Sequence, residues 1–192
     1  MTRKDVTVQI MLGGKSTRMG TDKALVKLGG KTLLDRAVER WQSYGGGLQL
    51  SVGSAERSAL APEGITAIED LYVERGPMGG LHAGLQACST PLLLLVAVDS
   101  PFLGEEQADL LVRSIGDGDA CVYTIDGRPQ PLFGLYRAEC APMAEELLVL
   151  GENRMNGLLK RLNTVYIPTQ QEALFRNLNT PEELAEAQRL LG

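Results

Sequence analysis

Apolar positions along the chain follow two patterns, and each pattern predicts a different kind of element. Short apolar runs predict strands at 6–12, 48–52, 65–68, 92–98, 120–125, 132–136 and 164–167. Apolar residues recurring every three or four positions predict helices at 32–44, after Gly80, and at 105–115, 141–150, 154–162 and after Thr180, where Thr180 and Glu183 predict a capping box. The Asp126-Gly127 pair predicts a turn between two of the strands. Alternation of strands and helices predicts an α/β sandwich with a largely parallel sheet. No repeat or linker interrupts the pattern, so we expect one domain over residues 1–192.

The most apolar run of the chain predicts the centre of that sheet. Residues 92–98 carry no polar side chain, which is typical of a strand buried on both faces. Asp99 follows this run directly, and Pro101 then turns the chain away from the strand. Ligands of open α/β sheets bind at the carboxyl ends of the strands. Asp99 is therefore predicted to lie at the floor of a binding crevice.

Charge and composition exclude several classes of function. The chain has 192 residues with 19 basic and 24 acidic side chains, a net charge of −5. This acidic balance argues against a nucleic-acid partner. No apolar run approaches the roughly 20 residues of a membrane span, and the N-terminus lacks a signal peptide. The three cysteines lack paired spacing, so we expect reduced thiols, a cytoplasmic location and no membrane partner.

The segment after the first predicted strand is rich in glycine and basic residues. Gly13 and Gly14 begin it, and one acid, Asp22, lies within it. Its basic residues are Lys15, Arg18, Lys23, Lys27 and Lys31. Glycines allow backbone N–H groups to approach a ligand, and the positive charge suits a polyphosphate. Neither the G-x-G-x-x-G fingerprint nor a complete Walker A loop is present. The alternative is a tight turn with solvated charges.

Two further segments are candidates for the same site. A carboxylate at the end of a central strand suits Mg²⁺, which takes one or two protein carboxylates and completes its shell with phosphate oxygens and water. Asp99 is that candidate, and a helix-capping or turn aspartate is the alternative. Asp70 follows another predicted strand, and the glycines of the loop 76–80 would permit close approach to a base or ribose. Trp41 is expected to lie in the core, and His82 to lie at the surface or in helix packing rather than in catalysis.

Taken together, these segments resemble the molybdenum cofactor guanylyltransferases over nearly the whole chain. The first segment reads M-L-G-G-K-S-T-R-M-G-T-D-K, against a family pattern of roughly L-A-G-G-x-S-x-R-M-G-x-D-K. The other matching segments are Glu69-Asp70 with Gly76 to Gly80, Asp99 to Phe102, Arg128 to Tyr136 and Phe175 to Leu184. The order and spacing of all five segments make the resemblance specific.

The resemblance implies a Rossmann-like, three-layer α/β/α nucleotidyltransferase. Its implied reaction transfers GMP from GTP to the terminal phosphate of molybdopterin with release of pyrophosphate, using Mg²⁺, with Mn²⁺ as a substitute. It implies that Met11, Leu12, Gly13, Gly14, Lys23, Ser51, Asp70 and Asp99 bind the nucleotide, that Asp99 binds the metal, and that Arg18, Lys23 and Asp99 act in catalysis. Arg18, Arg154, Asn177 and Asn179 would face the phosphates or the pterin. Molybdoenzymes and other cofactor-biosynthesis proteins are the implied partners.

Two positions depart from the family pattern, and two alternatives stay open. Leu12 replaces an alanine, and Ser51 stands where an asparagine is expected, so the base preference is the least secure implication. One alternative is another nucleotidyltransferase, such as a CTP-using cofactor cytidylyltransferase or a sugar-phosphate enzyme. The other is a nucleotide-binding protein that delivers the cofactor without catalysis.

Overall fold

A seven-stranded sheet forms the centre of the molecule in a computed structural model, which describes residues 1–13, 15–16 and 21–191. Its strands are β1 (Val6–Met11), β2 (Gly47–Gly53), β3 (Thr66–Glu69), β4 (Leu92–Ala97), β5 (Ala120–Ile125), β6 (Arg128–Arg137) and β7 (Thr164–Pro168). Their spatial order is β7-β5-β6-β4-β1-β2-β3. Two short ladders pair Lys15–Ser16 with Thr21–Asp22, and Lys27–Leu28 with Lys31–Thr32.

All neighbouring strands are parallel except at β6, which runs antiparallel to both β4 and β5. The predicted Asp-Gly turn joins β5 to β6, and Asp126 and Gly127 have φ angles of 48° and 73°. Positive φ at both central residues is the signature of a two-residue hairpin turn. β4 and β1 lie in the middle, as the wholly apolar run 92–98 predicted. The mostly parallel α/β architecture is thus confirmed.

Helices cover both faces of the sheet. They are α1 (Leu33–Trp41), α2 (Gly76–Ala87), α3 (Glu105–Ser114), α4 (Ala141–Val149), α5 (Met155–Arg161) and α6 (Pro181–Leu191). Leu92, Leu94 and Val96 of β4 pack with residues of α1, α3 and α6. Leu93 and Leu95 pack on the other face with α2, α4 and α5. The alternating sides of one strand therefore build the two cores of a three-layer sandwich.

Capping residues determine where the helices begin. The predicted capping box at Thr180 is confirmed, because Glu183 N donates to Thr180 Oγ1 (3.2 Å) and Thr180 N donates to Glu183 Oε2 (3.0 Å). The equivalent box of Thr32 and Asp35 was not predicted, and it begins α1 one residue later than expected. The α1 helix ends at Trp41, which is 2% exposed in the core as predicted.

The start of α2 corrects one prediction. Residues 76–80 were expected to form a loop, yet α2 begins at Gly76 and Pro77 occupies its first turn. Proline suits that turn because the N–H it lacks would have no partner within the helix.

Among the described residues, no helix is both long and apolar enough to cross a bilayer.

Candidate active site

Four strands end side by side at one edge of the sheet, in the order β4-β1-β2-β3. Met11 lies between Ala97 of β4 and Ser51 of β2, and Ser51 lies beside Ile68 of β3. Of the predicted site residues, Met11, Ser51, Asp70 and Asp99 therefore lie along one edge. Asp99 follows β4 and Asp70 follows β3, so three strand spacings, about 14 Å, separate the two ends of this row.

A compact polar cluster, here called the lysine group, forms beside the end of β4. Lys23 Nζ donates to Asp99 Oδ2 and to Asn179 Oδ1, the latter at 2.6 Å. The side chains of Lys23 and Asp99 are only 14% and 13% exposed, so water screens this ion pair weakly. Residues far apart in the sequence thus meet at the predicted position. Asp99 itself lies in a turn after β4, as the turn alternative expected, and its carboxylate pairs there with Lys23.

Local structure holds each member of the lysine group in place. Lys23 begins a short 3₁₀ turn, Lys23–Leu25, whose N-cap is Asp22: its Oδ1 accepts from Ala24 N at 3.0 Å. The backbone N of Leu178 donates to the carbonyl of Asp99 at 3.0 Å. Asn179 N donates to Glu183 Oε2 at 2.6 Å, which ties this asparagine to the cap of α6. The segment before α6 therefore completes the site.

A second cluster, here called the Asp70 group, comprises Met11, Ser51 and Asp70, which surround Gly80 of α2. A Cβ atom at Gly80 would lie 2.6 Å from Ser51 Oγ, 2.8 Å from Met11 Cε and 3.5 Å from Asp70 Oδ1. A Cβ at Gly79 would lie 3.2 Å from Asp70 Oδ2. The glycines serve close packing of α2 on this cluster rather than a loop around a ligand. The sequence interpretation assigned these glycines to the approach of a ligand, whereas here they allow close helix packing beside Asp70.

Among the described residues, nothing donates a hydrogen bond to one of the two carboxylate oxygens of Asp70. Its Oδ1 atom is buried and has no hydrogen-bond partner among the described residues. Burial raises the pKa of Asp70 to about 6, because the charged form loses its hydration. Buried acceptors in folded proteins are nearly always paired. An unpaired one beside the strand ends marks a position that a ligand donor can fill.

His82 lies behind the Asp70 group, one helical turn beyond Met78. It is fully buried, and neither ring nitrogen has a partner among the described residues. Burial lowers the pKa of His82, which favours the neutral ring. Its ring meets that of Tyr72 edge to face at 5.4 Å. His82 therefore packs α2 rather than lying at the surface.

Several predicted residues are not part of either cluster. Arg18 and Gly14 lie outside the described residues, as does the side chain of Lys15. Lys27 is exposed, and Lys31 is exposed and pairs with Glu39 at 2.6 Å. These two lysines face solvent and are not part of the lysine group, so Lys23 is the predicted basic residue that the described structure brings into it. Arg154 is the N-cap of α5, and its backbone N donates to the Glu152 side chain. The side chain of Arg154 is exposed.

The core accommodates the bulk of Leu12, which stands where the family pattern has alanine. Its side chain is fully buried in the core on the α1 side of the sheet, while its backbone N donates to Ser51 O at 3.1 Å. Only the backbone of Leu12 therefore faces the strand ends. Gly13, which follows, has a φ of 70°, a left-handed conformation that suits glycine.

One residue of the site was missed from the sequence. Arg57, in the 3₁₀ segment Ala55–Leu60 after β2, donates to both carboxylate oxygens of Asp22 at 2.8 and 2.9 Å. It lies in no glycine-rich or acidic motif, and its partner is 35 positions away. The only signal in the sequence was Asp22, the single acid within the basic segment, because a buried carboxylate needs a cationic partner.

Solved structures place this geometry in a known class. Molybdopterin-guanine dinucleotide biosynthesis protein A from Archaeoglobus fulgidus superposes with a TM-score of 0.84 at 28% identity, covering 96% of this chain and 98% of that one. 2-C-methyl-D-erythritol 4-phosphate cytidylyltransferase from Thermus thermophilus gives 0.72 at 16% identity, covering 95% and 97%. The second likeness shows the fold alone. The architecture is that of the nucleotidyltransferases of Rossmann-like fold.

Sequence comparisons define the family more narrowly. Residues 8–165 match the family of the MobA-like NTP transferase domain. The molybdenum cofactor guanylyltransferase of Vibrio parahaemolyticus is 31% identical over 180 residues, covering 92% of each chain. A probable molybdenum cofactor guanylyltransferase of Carboxydothermus hydrogenoformans is 29% identical over 187 residues, covering 94% and 93%. The chain belongs to the MobA-like NTP transferase family and is a nucleotidyltransferase.

Proposed function

We propose that this enzyme transfers GMP from GTP to the terminal phosphate of molybdopterin, or of its molybdenum-loaded form, and releases pyrophosphate. The observation that carries the proposal is the pair of clusters on one sheet edge. The lysine group offers charge to phosphates, and the Asp70 group offers an unpaired acceptor about 14 Å away. A nucleoside triphosphate is elongated enough to reach from one to the other. The names of the similar proteins support the choice of GTP and molybdopterin.

The lysine group is assigned to the triphosphate. Asp99 and Asn179 hold the Lys23 ammonium in one position, so its charge is already oriented before the nucleotide binds. A preorganised cation costs no reorganisation when negative charge grows on the leaving pyrophosphate. Asn179 leaves Lys23 a second anchor when Asp99 engages another ligand. We therefore assign Lys23 to the stabilisation of phosphate charge.

A divalent cation fits this donor set only if it arrives with phosphate ligands of its own. Among the described residues, no three His, Cys, Asp or Glu side chains form a metal-binding group. Mg²⁺ needs only one or two protein carboxylates when phosphates and water complete its shell. Asp99 would hold it, because this carboxylate lies at the strand end and keeps 13% of its side chain exposed. When bound, the ion would neutralise triphosphate charge.

The reaction needs no general base from the protein. A phosphomonoester has a second pKa of about 6 and is already an anionic nucleophile near pH 7. The difficulty is to bring one anion onto another. Lys23 offsets this repulsion, and the fixed geometry of the strand ends keeps the nucleophile and the leaving group in line. The lack of a partner on the only histidine, His82, agrees with a mechanism that moves no proton through it.

The Asp70 group is assigned to the guanine end of the nucleotide. A guanine ring presents two adjacent N–H donors, at N1 and at the exocyclic N2, whereas cytosine presents one donor beside an acceptor. A carboxylate complements the paired donors of guanine. Because Asp70 Oδ1 has no partner in the protein, binding would supply the missing hydrogen bond. Below its pKa of about 6, the protonated carboxyl would accept less well, so GTP affinity is expected to weaken.

The acceptor is assigned to the side of the lysine group away from Asp70. A cavity of about 430 Å³ lies there, lined by Phe102, Arg176, Asn177, Leu178, Asn179, Glu183, Glu186 and Ala187. A smaller cavity of about 180 Å³ shares Asn177 with it and has mostly apolar walls, including Phe133 and Phe175. Asn177 Oδ1 accepts from Ser100 Oγ at 2.7 Å, which fixes this asparagine next to Asp99. Such walls suit a flat heterocycle with a phosphate at one end.

The test is a nucleotide panel with molybdenum-loaded molybdopterin and Mg²⁺. We expect pyrophosphate release and formation of the guanine dinucleotide with GTP, and far slower reaction with CTP, UTP or ATP. Preference for CTP would assign the enzyme to cytidylyl transfer instead. GTP binding without pyrophosphate release would indicate a delivery protein. Repeating the GTP reaction with Mn²⁺ and with excess chelator tests the requirement for a divalent cation.

A further inference from the structure

Arg57 joins the two ends of the segment that carries the nucleotide-binding glycines. Its Nη1 atom donates to the carbonyl of Gly13 at 2.5 Å and to that of Val52 at 3.2 Å. Its Nε and Nη2 atoms donate to the two carboxylate oxygens of Asp22 at 2.9 and 2.8 Å. Gly13 and Asp22 flank the segment 14–21. One guanidinium therefore bonds to residues on both sides of that segment.

The ion pair of Arg57 with Asp22 lies largely away from solvent, whereas the bond to the Gly13 carbonyl is exposed. The side chains of Arg57 and Asp22 are 13% and 18% exposed, and the pair is bidentate. Charge-assisted, bidentate bonds of this kind fix geometry as well as charge. A buried pair is weak support for a contribution to stability, since desolvation offsets much of the attraction. The geometry that Arg57 imposes is the better-founded consequence.

Both clusters of the site depend on what Arg57 holds. Asp22 is the N-cap of the turn that begins with Lys23, so Arg57 fixes the residue directly before that lysine. Val52, which also accepts from Arg57, follows Ser51 in β2. Gly53, next along the strand, accepts from Asp70 N at 3.1 Å. Arg57 thus bonds to residues that adjoin each cluster, and among the described residues it makes no hydrogen bond to Lys23 or Asp70 itself.

We propose that Arg57 is a positioning residue for nucleotidyl transfer, which sets Lys23 relative to the strand ends by bridging Asp22, Gly13 and Val52. The inference rests on the proposed role of Lys23 but not on the identity of the base. A displacement of about 1 Å in a positioned group can cost on the order of 10²-fold in rate. Loss of Arg57 should therefore reduce turnover in a protein that is still folded.

The test is a double-mutant cycle between Arg57 and Lys23, measured at a temperature at which every variant is folded. We expect Arg57→Gln to lower kcat/KM about tenfold or more in the wild-type background and less than twofold in Lys23→Ala, because effects of residues linked through one hydrogen-bond network are not additive. Arg57→Lys keeps the charge but not the planar fork, so it should recover only part of the loss. It also serves as the second variant if Arg57→Gln fails to fold.

Arg137→Gln is the matched control. Arg137 also donates to two backbone carbonyls, those of Gly118 and Gly116, at 2.8 and 2.6 Å, and lies at the far end of β6. We expect it to lower the melting temperature without a change in kcat/KM. Equal losses from Arg57→Gln in both backgrounds, or wild-type kinetics in the folded variant, would overturn the positioning role.

The nucleotide in this experiment is the one that wild-type enzyme uses in the panel above. Preference for CTP would therefore overturn the proposed function and leave the cycle readable. If wild-type enzyme turns over no nucleotide, the same cycle is read from GTP affinity by calorimetry. Additive losses of affinity would then contradict the inference, and a loss confined to the background with Lys23 would support it.

Discussion

The lysine group and the Asp70 group lie at the same sheet edge but differ in whether their charged side chains have partners. In the first, the Lys23 ammonium and the Asp99 carboxylate neutralise each other, and Asn179 satisfies a further donor position. In the second, Asp70 Oδ1 is buried with no partner among the described residues. One cluster is complete before a ligand arrives, and the other is left incomplete. Under the proposed function, the first cluster would orient charge for the chemistry, whereas the second would select what binds.

The largest effect is expected from Asp99→Asn. The variant loses the carboxylate that pairs with Lys23 and would hold the metal, so kcat for transfer should fall about 10³-fold. Steady-state pyrophosphate release measures the loss, and circular dichroism verifies that the fold survives. Asp126→Asn, in the exposed hairpin turn, is the control and should keep wild-type kcat. Normal guanylyl transfer by Asp99→Asn with Mg²⁺ would remove the metal role from this residue.

Lys23→Ala should cost about 10²-fold in kcat/KM, the scale of one lost preorganised electrostatic contact. The matched control is Lys31→Ala, because Lys31 is exposed and pairs with Glu39 away from the strand ends. The control should change kcat/KM less than twofold. A loss below twofold for Lys23→Ala as well would mean that this lysine serves only to neutralise Asp99.

Gly80→Ala tests the Asp70 group without touching the lysine group. A new Cβ would lie 2.6 Å from Ser51 Oγ and 2.8 Å from Met11 Cε, so the helix or these side chains must shift. We expect KM for GTP to rise about tenfold with a much smaller change in kcat. Alanine is otherwise the better helix former by about 1 kcal/mol. Gly157→Ala in α5 is the control, since its Cβ would meet the flexible side chain of Glu152. An unchanged KM for Gly80→Ala would show that this contact is not sensed by the nucleotide.

The smallest effect concerns stability and its dependence on pH. Burial raises the pKa of Asp70 in the folded protein to about 6, above its ordinary value of 3.8, so the folded protein holds this proton more tightly. Its contribution to stability is therefore present below about pH 4 and is lost as the pH rises to about 6 and above. Asp70→Asn should be more stable than wild type at pH 7.5 by about 1 kcal/mol, after allowance for solvent screening, which is about 2–4 °C in melting temperature.

Thermal melts at pH 4 and pH 7.5 check this prediction. The difference between Asp70→Asn and wild type should vanish at pH 4, where both side chains are neutral. Asp126→Asn should show no such dependence. A destabilised Asp70→Asn at pH 7.5 would mean that the carboxylate has a compensating partner, and the contrast between the two clusters would fail.

The sequence predicted the elements well wherever burial alone determines them. The uniform run 92–98 became the central strand β4, and the Asp-Gly pair became the tight turn between β5 and β6. Residues 76–80 were misassigned because glycine and proline were interpreted as loop residues. The glycines are there to bring α2 close to Ser51 and Asp70, which is a tertiary requirement. Helix packing of this kind leaves no local signal.

The site was predicted in part for the same reason. Lys23 and Asp99 were found because each follows a strand, and strand ends converge in a parallel sheet. Arg57 was missed because the three residues to which it donates hydrogen bonds are separated along the chain and meet only in the fold. The buried state of Asp70 Oδ1 was equally invisible, since it depends on how α2 packs over it.

The reversed direction of β6 has a consequence for how this architecture can diversify. Because β6 runs antiparallel, it is its first residues, around Gln130 and Leu132, that reach the carboxyl edge of the sheet and line the smaller cavity. β1, which precedes Lys23, and β3, which precedes Asp70, reach the same edge by their last residues and lie on the other side of β4. Under the proposed function, substitutions in one hairpin would therefore remodel the side that receives the nucleotidyl group, while the side that holds the nucleotide keeps its residues. A fold with that division can acquire a new recipient for the same nucleotide through changes in a single short stretch of chain.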